Sequence, residues 1–123
     1  MGTPVVVLDE PTTGQDARGA ARVADIVRGL IAQGRTVIAI SHDMTFVAEH
    51  FRRVVVMRAG RVVLDGTPDT ALAEASWPTL ASTYLEPPHA AVVGASAGLG
   101  ATPTADSLAN ALRARAAAGN LTT

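Results

Sequence analysis

The fold of this chain is decided by the stretch Val5-Val6-Val7-Leu8-Asp9-Glu10-Pro11. Residues 4–8 form a short apolar run without polar alternation, which is typical of a strand buried on both faces in a parallel sheet. Two acidic residues follow this strand, and Pro11 ends it. Because ligands of open α/β sheets bind beyond the carboxyl ends of the strands, Asp9 and Glu10 are candidate functional residues.

A helix and a second strand are predicted immediately downstream. Asp16 is a good N-cap, and apolar residues recur at helical spacing over 17–33, before Gly34. Residues 36–40 form a second apolar run. The order strand, helix, strand implies a right-handed parallel crossover. The second strand ends in Ser41, His42 and Asp43.

The remaining segments predict a hairpin followed by helices. Two valine-rich runs at 53–57 and 61–65, joined at Arg58-Ala59-Gly60, favour an antiparallel hairpin. Ala-, Gly- and Pro-rich residues 89–103 indicate a loop. Helices are expected at about 44–51, near 68–75, in a short piece from Ser76 that ends before Pro87-Pro88, and at 105–118, where Thr104 is the cap and Gly119 follows.

Composition excludes several classes of protein. The chain has 123 residues, of which 48% are hydrophobic and 3% aromatic, so aliphatic side chains must fill the core. A net charge of -1 and the absence of a basic stripe argue against a nucleic-acid partner, and the absence of Cys excludes Cys-based zinc sites. No apolar run approaches the roughly 18 residues of a membrane span, and the N-terminus lacks the features of a signal peptide. We therefore expect a cytoplasmic protein.

The two acidic residues at the first strand end suggest chemistry on a phosphate. Adjacent carboxylates at a strand end are costly unless a cation or a proton is shared. A Mg²⁺–nucleotide complex would remove that cost at Asp9, while Glu10 could orient or deprotonate a water molecule. The alternative is a strand that ends by chance in acidic residues at a solvated loop. The chain contains no Lys, so it cannot carry a complete phosphate-binding loop of the Walker A type.

The continuation of the sequence favours the phosphate interpretation. The sequence Asp-Glu-Pro-Thr-Thr-Gly-Gln-Asp at 9–16 closely resembles the Walker B motif and D-loop of ABC ATPases, and Ser41-His42-Asp43 resembles their switch-histidine motif. The valine-rich hairpin and Asp65-Gly66-Thr67-Pro68 resemble the segment that follows the switch in transporter ATPases. The resemblance implies an α/β fold: a partial P-loop NTPase core with parallel strands, then the antiparallel hairpin, then a helical C-terminal extension. It divides the chain into residues 1–67 and 68–123.

This resemblance also implies roles for individual residues. Glu10 would be the general base or water-positioning residue, and His42 would contact the γ-phosphate. Asp9 would hold Mg²⁺ through water, with Asp16 and Ser41 also on the cofactor side. Asp16 would belong to the D-loop that touches an opposing subunit. The implied cofactors are ATP and Mg²⁺. The implied partners are a second ATPase subunit, identical or different, and transmembrane transporter subunits, at the inner face of the membrane.

Details of the loop and the tail narrow the resemblance. Thr13-Gly14-Gln15-Asp16 is similar to energy-coupling-factor and cobalt/nickel-type ATPases, as is the general layout of Leu85-Glu86-Pro87-Pro88 and the helix after Thr104. The phosphate loop, Q-loop and signature motif of the family are missing. Because the chain starts at Met1-Gly2-Thr3, directly before the first strand, we expect a C-terminal fragment of a longer subunit. Missing strands would leave unpaired sheet edges and exposed apolar faces.

Two other functions remain as alternatives: a DNA-acting ABC ATPase, and a non-catalytic fragment that pairs with a partner ATPase. The valine-rich hairpin that follows the switch-histidine motif argues against the DNA-acting ATPase. We interpret His50 as a surface helix position, His89 as a loop residue, and Trp77 and Tyr84 as packing residues of the extension. The helix 105–118 is expected to serve association through its Leu108, Ala111 and Leu112 face.

Overall fold

A computed structural model describes residues 4–117 and confirms an α/β fold. The strands are β1 (Val5–Asp9), β2 (Thr36–Ile40), β3 (Val54–Arg58) and β4 (Arg61–Gly66). The helices are α1 (Ala17–Ala32), α2 (Met44–His50), α3 (Pro68–Ala71), α4 (Trp77–Ser82), α5 (His89–Ser96) and α6 (Ala105–Ala117), with a 3₁₀ turn at Glu74–Ser76. Residues 1–3 and 118–123 lie outside the described residues, as do the predicted helix end at 118 and the Gly119 cap. The predicted division after residue 67 falls between β4 and α3, and its position stays a prediction.

The strands β1 and β2 pair in parallel and are connected through α1, as predicted. Their register runs from Val5 opposite Thr36 to Asp9 opposite Ile40. The side chain of Asp16 accepts a hydrogen bond from the backbone N–H of Gly19 at 2.8 Å, which confirms the predicted N-cap. At the other end of α1, Gly34 adopts φ +80°, which an L side chain rarely tolerates. Local capping therefore fixes both ends of the crossover helix.

The prediction that β1 and β2 are buried on both faces was wrong. One face packs on the helices: Leu8 and Val37 contact a cluster formed by Ala24, Val27 and Phe46. On the other face the side chains of Val5, Val7, Ile38 and Ile40 are 50–59% exposed. Within residues 4–117, α1 and α2 cover only one side of the pair, so the continuous apolar run meets protein on one face and solvent on the other.

The predicted hairpin is confirmed as β3 and β4. Arg58 pairs with Arg61, and the two turn residues between them, Ala59 and Gly60, have φ values of +50° and +76°. Positive φ at both positions is the signature of a type I′ turn, whose twist matches that of the strands. The hairpin packs through Val54 and Val56 in a second cluster; its other members are Met44, Val47, Ala48, Ala71, Leu72 and Leu80. Helices α2, α3 and α4 thus share one core with the hairpin.

The structure corrects the expected layout of the C-terminal extension. The helix near 68–75 ends at Ala71, because the chain turns extended at Ala73 (ψ 158°) before the 3₁₀ turn. The segment 89–103, expected as a loop, begins with helix α5. The residues of α5 are apolar on all faces of the helix, so the sequence shows no periodic apolar stripe that would predict it. Gly94 of α5 packs so closely on Thr102 that a Cβ there would lie 1.8 Å from the Thr102 Oγ1.

The last described helix, α6, is bonded to other elements near both of its ends. Glu49 of α2 accepts a hydrogen bond from the backbone N–H of Ala105 at 2.9 Å. Arg115 donates to the carbonyl oxygens of Ala97 and Gly98 at 2.7 and 3.0 Å, beyond the end of α5. The Thr104 hydroxyl accepts from the N–H of Ser107 at 3.1 Å, in agreement with the predicted cap. No residue of α6 is buried.

The two aromatic residues of the extension behave differently. Trp77 packs against the hairpin core and donates its indole N–H to the carbonyl of Leu72 at 3.1 Å, so it is the packing residue predicted. Tyr84 is 97% exposed and has φ +61°, so its predicted packing role was wrong. Tyr84 follows the end of α4 in a left-handed conformation, which turns the ring away from the core. Across residues 4–117 no helix combines the length and hydropathy needed to cross a membrane.

Candidate functional site

The side chains of Glu10 and His42 meet at the carboxyl edge of the parallel pair. The backbone N–H of Glu10 donates to the carbonyl of Ile40 at 2.7 Å, which continues the pairing of β1 and β2 by one residue. The His42 Nδ1 lies 2.9 Å from the Glu10 Oε2. The parallel register thus brings together the two residues predicted as catalytic, with His42 70% exposed and Glu10 36% exposed.

The backbone and neighbours of Glu10 leave part of its carboxylate available. Glu10 adopts φ +48°, an uncommon conformation for a residue with a side chain. The Thr13 hydroxyl donates to the same Oε2 at 3.4 Å. Since both contacts fall on Oε2, the other oxygen, Oε1, has no hydrogen-bond partner from the described part of the chain. A carboxylate held on one oxygen and open on the other can accept a proton or orient a water.

The loop after β1 is bonded to the segment after β2. The Thr12 hydroxyl donates to the Asp43 Oδ2 at 3.4 Å, while the Asp43 Oδ1 accepts from the N–H of Phe46 at 3.0 Å. Asp43 therefore both caps α2 and contacts the loop that follows Glu10. We did not single out Thr12, Thr13 or Asp43 as functional; an Asp directly before an apolar helical segment is an N-cap signal that could have identified Asp43.

The other predicted site residues are dispersed around this pair. The Ser41 hydroxyl oxygen accepts a hydrogen bond from the N–H of Asp43 at 3.0 Å, so it shapes the turn that carries His42. Asp9 ends β1 and is exposed. Asp16 is exposed and caps α1. The cofactor roles predicted for these three residues stay predictions.

A single exposed carboxylate fits a limited kind of magnesium site. Within residues 4–117, no three His, Asp or Glu side chains are grouped so that they could hold a metal ion by themselves. Mg²⁺ commonly keeps several waters and binds through one or two carboxylates together with substrate phosphates. The exposed Asp9 carboxylate suits a water-mediated contact of that kind.

A cavity of about 400 Å³ lies beside His42 and Asp43. Besides Thr12, Thr13, Gly14, Met44 and Thr45, its lining includes Glu86, Pro87 and His89 from the extension. His89 was predicted to lie in a loop, but it is the first residue of α5, and its backbone N–H donates to the Thr45 hydroxyl at 3.2 Å. The extension therefore approaches the site next to α2.

His50 is structural, but it is not the surface residue that we predicted. Its ring is half-buried and packs against Phe46 with ring centroids 5.0 Å apart. Burial lowers the pKa of His50 below its ordinary value, and the nearby positive charge of Arg28 lowers it further. The uncharged ring is therefore favoured, as expected for a side chain packed against an aromatic neighbour.

Comparison with known proteins identifies sequence relatives. A putative ABC transporter ATP-binding protein of Methanosarcina mazei is 55% identical over 62 residues, 50% of this chain and 10% of that protein. The energy-coupling factor transporter ATP-binding protein EcfA2 of Symbiobacterium thermophilum is 47% identical over 68 residues, covering 55% and 24%. EcfA2 of Mycoplasmopsis synoviae is 36% identical over 88 residues, covering 72% and 28%. No protein-family model matches the chain.

A solved structure gives the same result at the level of the fold. CbiO1 of Clostridium perfringens, described as part of the ABC transporter complex cbiONQ, superposes with a TM-score of 0.51 and 35% identity, over 62% of this chain and 31% of that one. The α/β fold of the chain resembles that of this ABC ATPase. The homologues of the chain are ABC transporter ATP-binding proteins, energy-coupling factor ATPases among them. The chain spans only 10 to 28% of the length of these relatives.

Proposed function

We propose that this chain supplies the hydrolytic, C-terminal part of an ATP-binding subunit that powers solute uptake in an ABC transporter of the energy-coupling-factor type. The observation that carries the proposal is the 2.9 Å contact between His42 and Glu10 at the carboxyl edge of the parallel pair. In such a transporter the chain works at the cytoplasmic face of the membrane. Its partners are a second ATPase subunit and the transmembrane subunits.

Glu10 acts on the water that attacks the γ-phosphate. Its Oε2 is contacted by His42 and Thr13, which leaves its Oε1 for the attacking water. Asp9 would hold Mg²⁺ through water, and the ion would neutralise charge on the phosphates. Asp16 ends the Thr12–Asp16 loop, and this loop would meet the opposing subunit.

His42 links the hydrolytic carboxylate to the phosphate. Because a carboxylate can only accept, a hydrogen bond across the 2.9 Å between His42 and Glu10 requires the proton on the His42 Nδ1. The Nε2 is then the nitrogen left for a γ-phosphate oxygen. If Nε2 also donates, both ring nitrogens carry protons and the imidazolium charge strengthens the contact to phosphate. Loss of the γ-phosphate would remove this contact, which gives His42 a sensing role.

The isolated chain is proposed to be inactive. A triphosphate is bound mainly by the backbone N–H groups of a Gly-rich loop, a helix N-terminus and a Lys ammonium. The chain has no Lys at any position. The alternative, a purely non-catalytic interaction module, is less well supported because such a module needs no contact between Glu10 and His42.

Replacement of Glu10 by Gln in a complete subunit tests the proposal. The substitution keeps the size of the side chain but removes the charge that activates water, so steady-state ATP hydrolysis should fall by about 10² to 10⁴-fold. ATP binding should be retained. Glu74→Gln, at an exposed position in the 3₁₀ turn, is the control and should hydrolyse ATP normally. Near-normal hydrolysis by Glu10→Gln would remove Glu10 from the mechanism.

A further inference from the structure

The last two helices of the extension are joined to the rest of the chain through one face of α2. The Thr45 hydroxyl accepts a hydrogen bond from the backbone N–H of His89 at 3.2 Å. The Glu49 Oε1 accepts one from the backbone N–H of Ala105 at 2.9 Å. Because Thr45 and Glu49 are four residues apart, their side chains lie on the same side of the helix. These two acceptors form what we call the α2 capping face.

Each acceptor satisfies the first N–H group of a helix. His89 is the first residue of α5, and Ala105 is the first residue of α6. The N–H groups in the first turn of a helix have no partner within that helix. The helix α5 has no side-chain cap of its own, since Pro88 precedes it. At α6, the Glu49 carboxylate also lies at the positive end of the helix dipole. Side chains of α2 therefore stabilise the start of both helices.

The attachment of α5 and α6 depends on this face. Among residues 4–117, the bonds to Thr45 and Glu49 are the only hydrogen bonds that join α5 or α6 to residues before 68. The bonds of Arg115 reach carbonyl groups within the extension itself. None of the residues of α6 is buried. Release of the two helices from α2 would therefore break two hydrogen bonds to the rest of the chain and no strand pairing.

The other end of α2 lies at the candidate site. Its first residue, Met44, comes two residues after His42, and its N-cap Asp43 accepts a hydrogen bond from the N–H of Phe46. Thr45 is one of the residues that line the cavity beside His42. Because the chain between His42 and α2 is one residue long, a shift of α2 also moves the turn that carries the His42 imidazole.

The extension supplies a further part of the wall of that cavity. Glu86, Pro87 and His89 line the cavity of about 400 Å³. Pro88, which lies within this segment, is less than 2% exposed. Two consecutive prolines fix the backbone φ at their positions and stiffen the segment. The hydrogen bond from His89 to Thr45 holds the stiff segment against α2, so the position of this wall depends on the α2 capping face.

We propose that Thr45 and Glu49 are positioning residues that transmit the docked position of α5 and α6, through α2, to the His42 imidazole. With both caps formed, the cavity wall is complete and His42 keeps its 2.9 Å approach to Glu10. With either cap lost, α5 and α6 move away from α2 and the turn at 41–43 gains freedom, which slows hydrolysis and leaves nucleotide affinity unchanged. The effect on hydrolysis rests on the function proposed above, whereas the effect on the His42 ring does not.

NMR of the full 123-residue chain tests the coupling without nucleotide. Thr45→Val and Glu49→Met keep the approximate size of each side chain but remove the acceptor oxygen. Thr45→Ser and Glu49→Gln are the matched controls, because each keeps an acceptor and because Gln and Met are both uncharged. The amide of His89 in Thr45→Val, and that of Ala105 in Glu49→Met, should exchange about two- to tenfold faster. The ring signals of His42 should shift in both of these variants and in neither control.

Steady-state kinetics of a complete subunit test the consequence for hydrolysis. Thr45→Val and Glu49→Met should each lower kcat at least about fivefold and leave KM within about twofold, because the contacts that bind nucleotide lie elsewhere. Thr45→Ser and Glu49→Gln should keep both constants near those of the parent. Unchanged His42 ring signals in Thr45→Val and Glu49→Met, equal shifts in the controls, or a raised KM with normal kcat would overturn the proposal. Normal hydrolysis by Glu10→Gln would instead overturn the function proposed above, and the His42 signals of the chain would still decide the coupling.

Discussion

The imidazole Nδ1 of His42 lies 2.9 Å from the Oε2 of Glu10, although the two residues follow different strands. The contact depends on the parallel register that sets Asp9 opposite Ile40, and on the further bond from the Glu10 N–H to the Ile40 carbonyl. Asp43 stabilises the arrangement from the other side, since it caps α2 and accepts from Thr12. Local capping and strand pairing thus position both groups before any ligand is present.

Substitution of His42 by Ala in a complete subunit should impair hydrolysis more than binding. One contact to the γ-phosphate is lost and the Glu10 Oε2 keeps only its weaker bond to Thr13, so the turnover rate should fall by about 10²-fold or more. Contacts to adenine and to the α- and β-phosphates come from other parts of the subunit and should persist. Rapid-quench hydrolysis and equilibrium binding separate these effects. Normal hydrolysis with a large loss of nucleotide affinity would contradict the proposed role.

Deletion of residues 100–123 from a complete subunit should weaken dimerisation and spare single-site nucleotide binding. The deletion removes α6, which buries none of its residues on the rest of the chain and carries no carboxylate–histidine pair. Sedimentation velocity measures association, and a titration with labelled nucleotide measures binding. The deletion also removes the hydrogen bond from the Ala105 N–H to Glu49. A cooperative unfolding transition therefore checks that the shortened subunit is folded. A folded deletion that no longer binds nucleotide would refute the association role.

Two glycine substitutions should change stability in opposite directions. In Gly94→Ala the new Cβ would lie 1.8 Å from the Thr102 Oγ1, so α5 or the 102 segment must shift, at a cost of about 1–3 kcal/mol. In Gly29→Ala, within α1, the new Cβ meets no atom within 4 Å, and the free energy of unfolding should rise by about 0.4–1 kcal/mol. Urea unfolding of the two variants and the parent chain measures both. Equal stability of Gly94→Ala and the parent would show that this packing is loose.

The parts of the fold with strong local signals were predictable from the sequence. The capping residue Asp16, the helical period after it and Gly34 define α1, and the Ala59-Gly60 turn defines the hairpin. The proximity of Glu10 and His42 could also be anticipated, because the carboxyl ends of consecutive parallel strands lie at one edge of the sheet. The 2.9 Å approach of His42 to Glu10 depends on the register of β1 and β2, which the sequence pattern does not specify.

Other features depend on tertiary packing and were not predictable. Hydrophobicity shows that Val5, Val7, Ile38 and Ile40 prefer burial, but whether something covers them depends on the elements packed nearby. Helix α5 has no amphipathic period, and it is held by contacts such as Thr102 Oγ1 to the carbonyl of Ala90 at 2.8 Å. Tyr84 is exposed because of a left-handed backbone that its residue type does not indicate.

Calorimetric titration of the purified chain with MgATP tests most directly the claim that it supplies hydrolytic residues without a phosphate-binding loop. His42 adds one hydrogen bond, about 1.5–3 kcal/mol if charge-assisted. Binding at tens of micromolar requires roughly 6 kcal/mol. We therefore expect no resolvable binding by the chain alone, and binding once an N-terminal half from a similar ATPase is added. Micromolar binding of MgATP by the isolated chain would contradict the account.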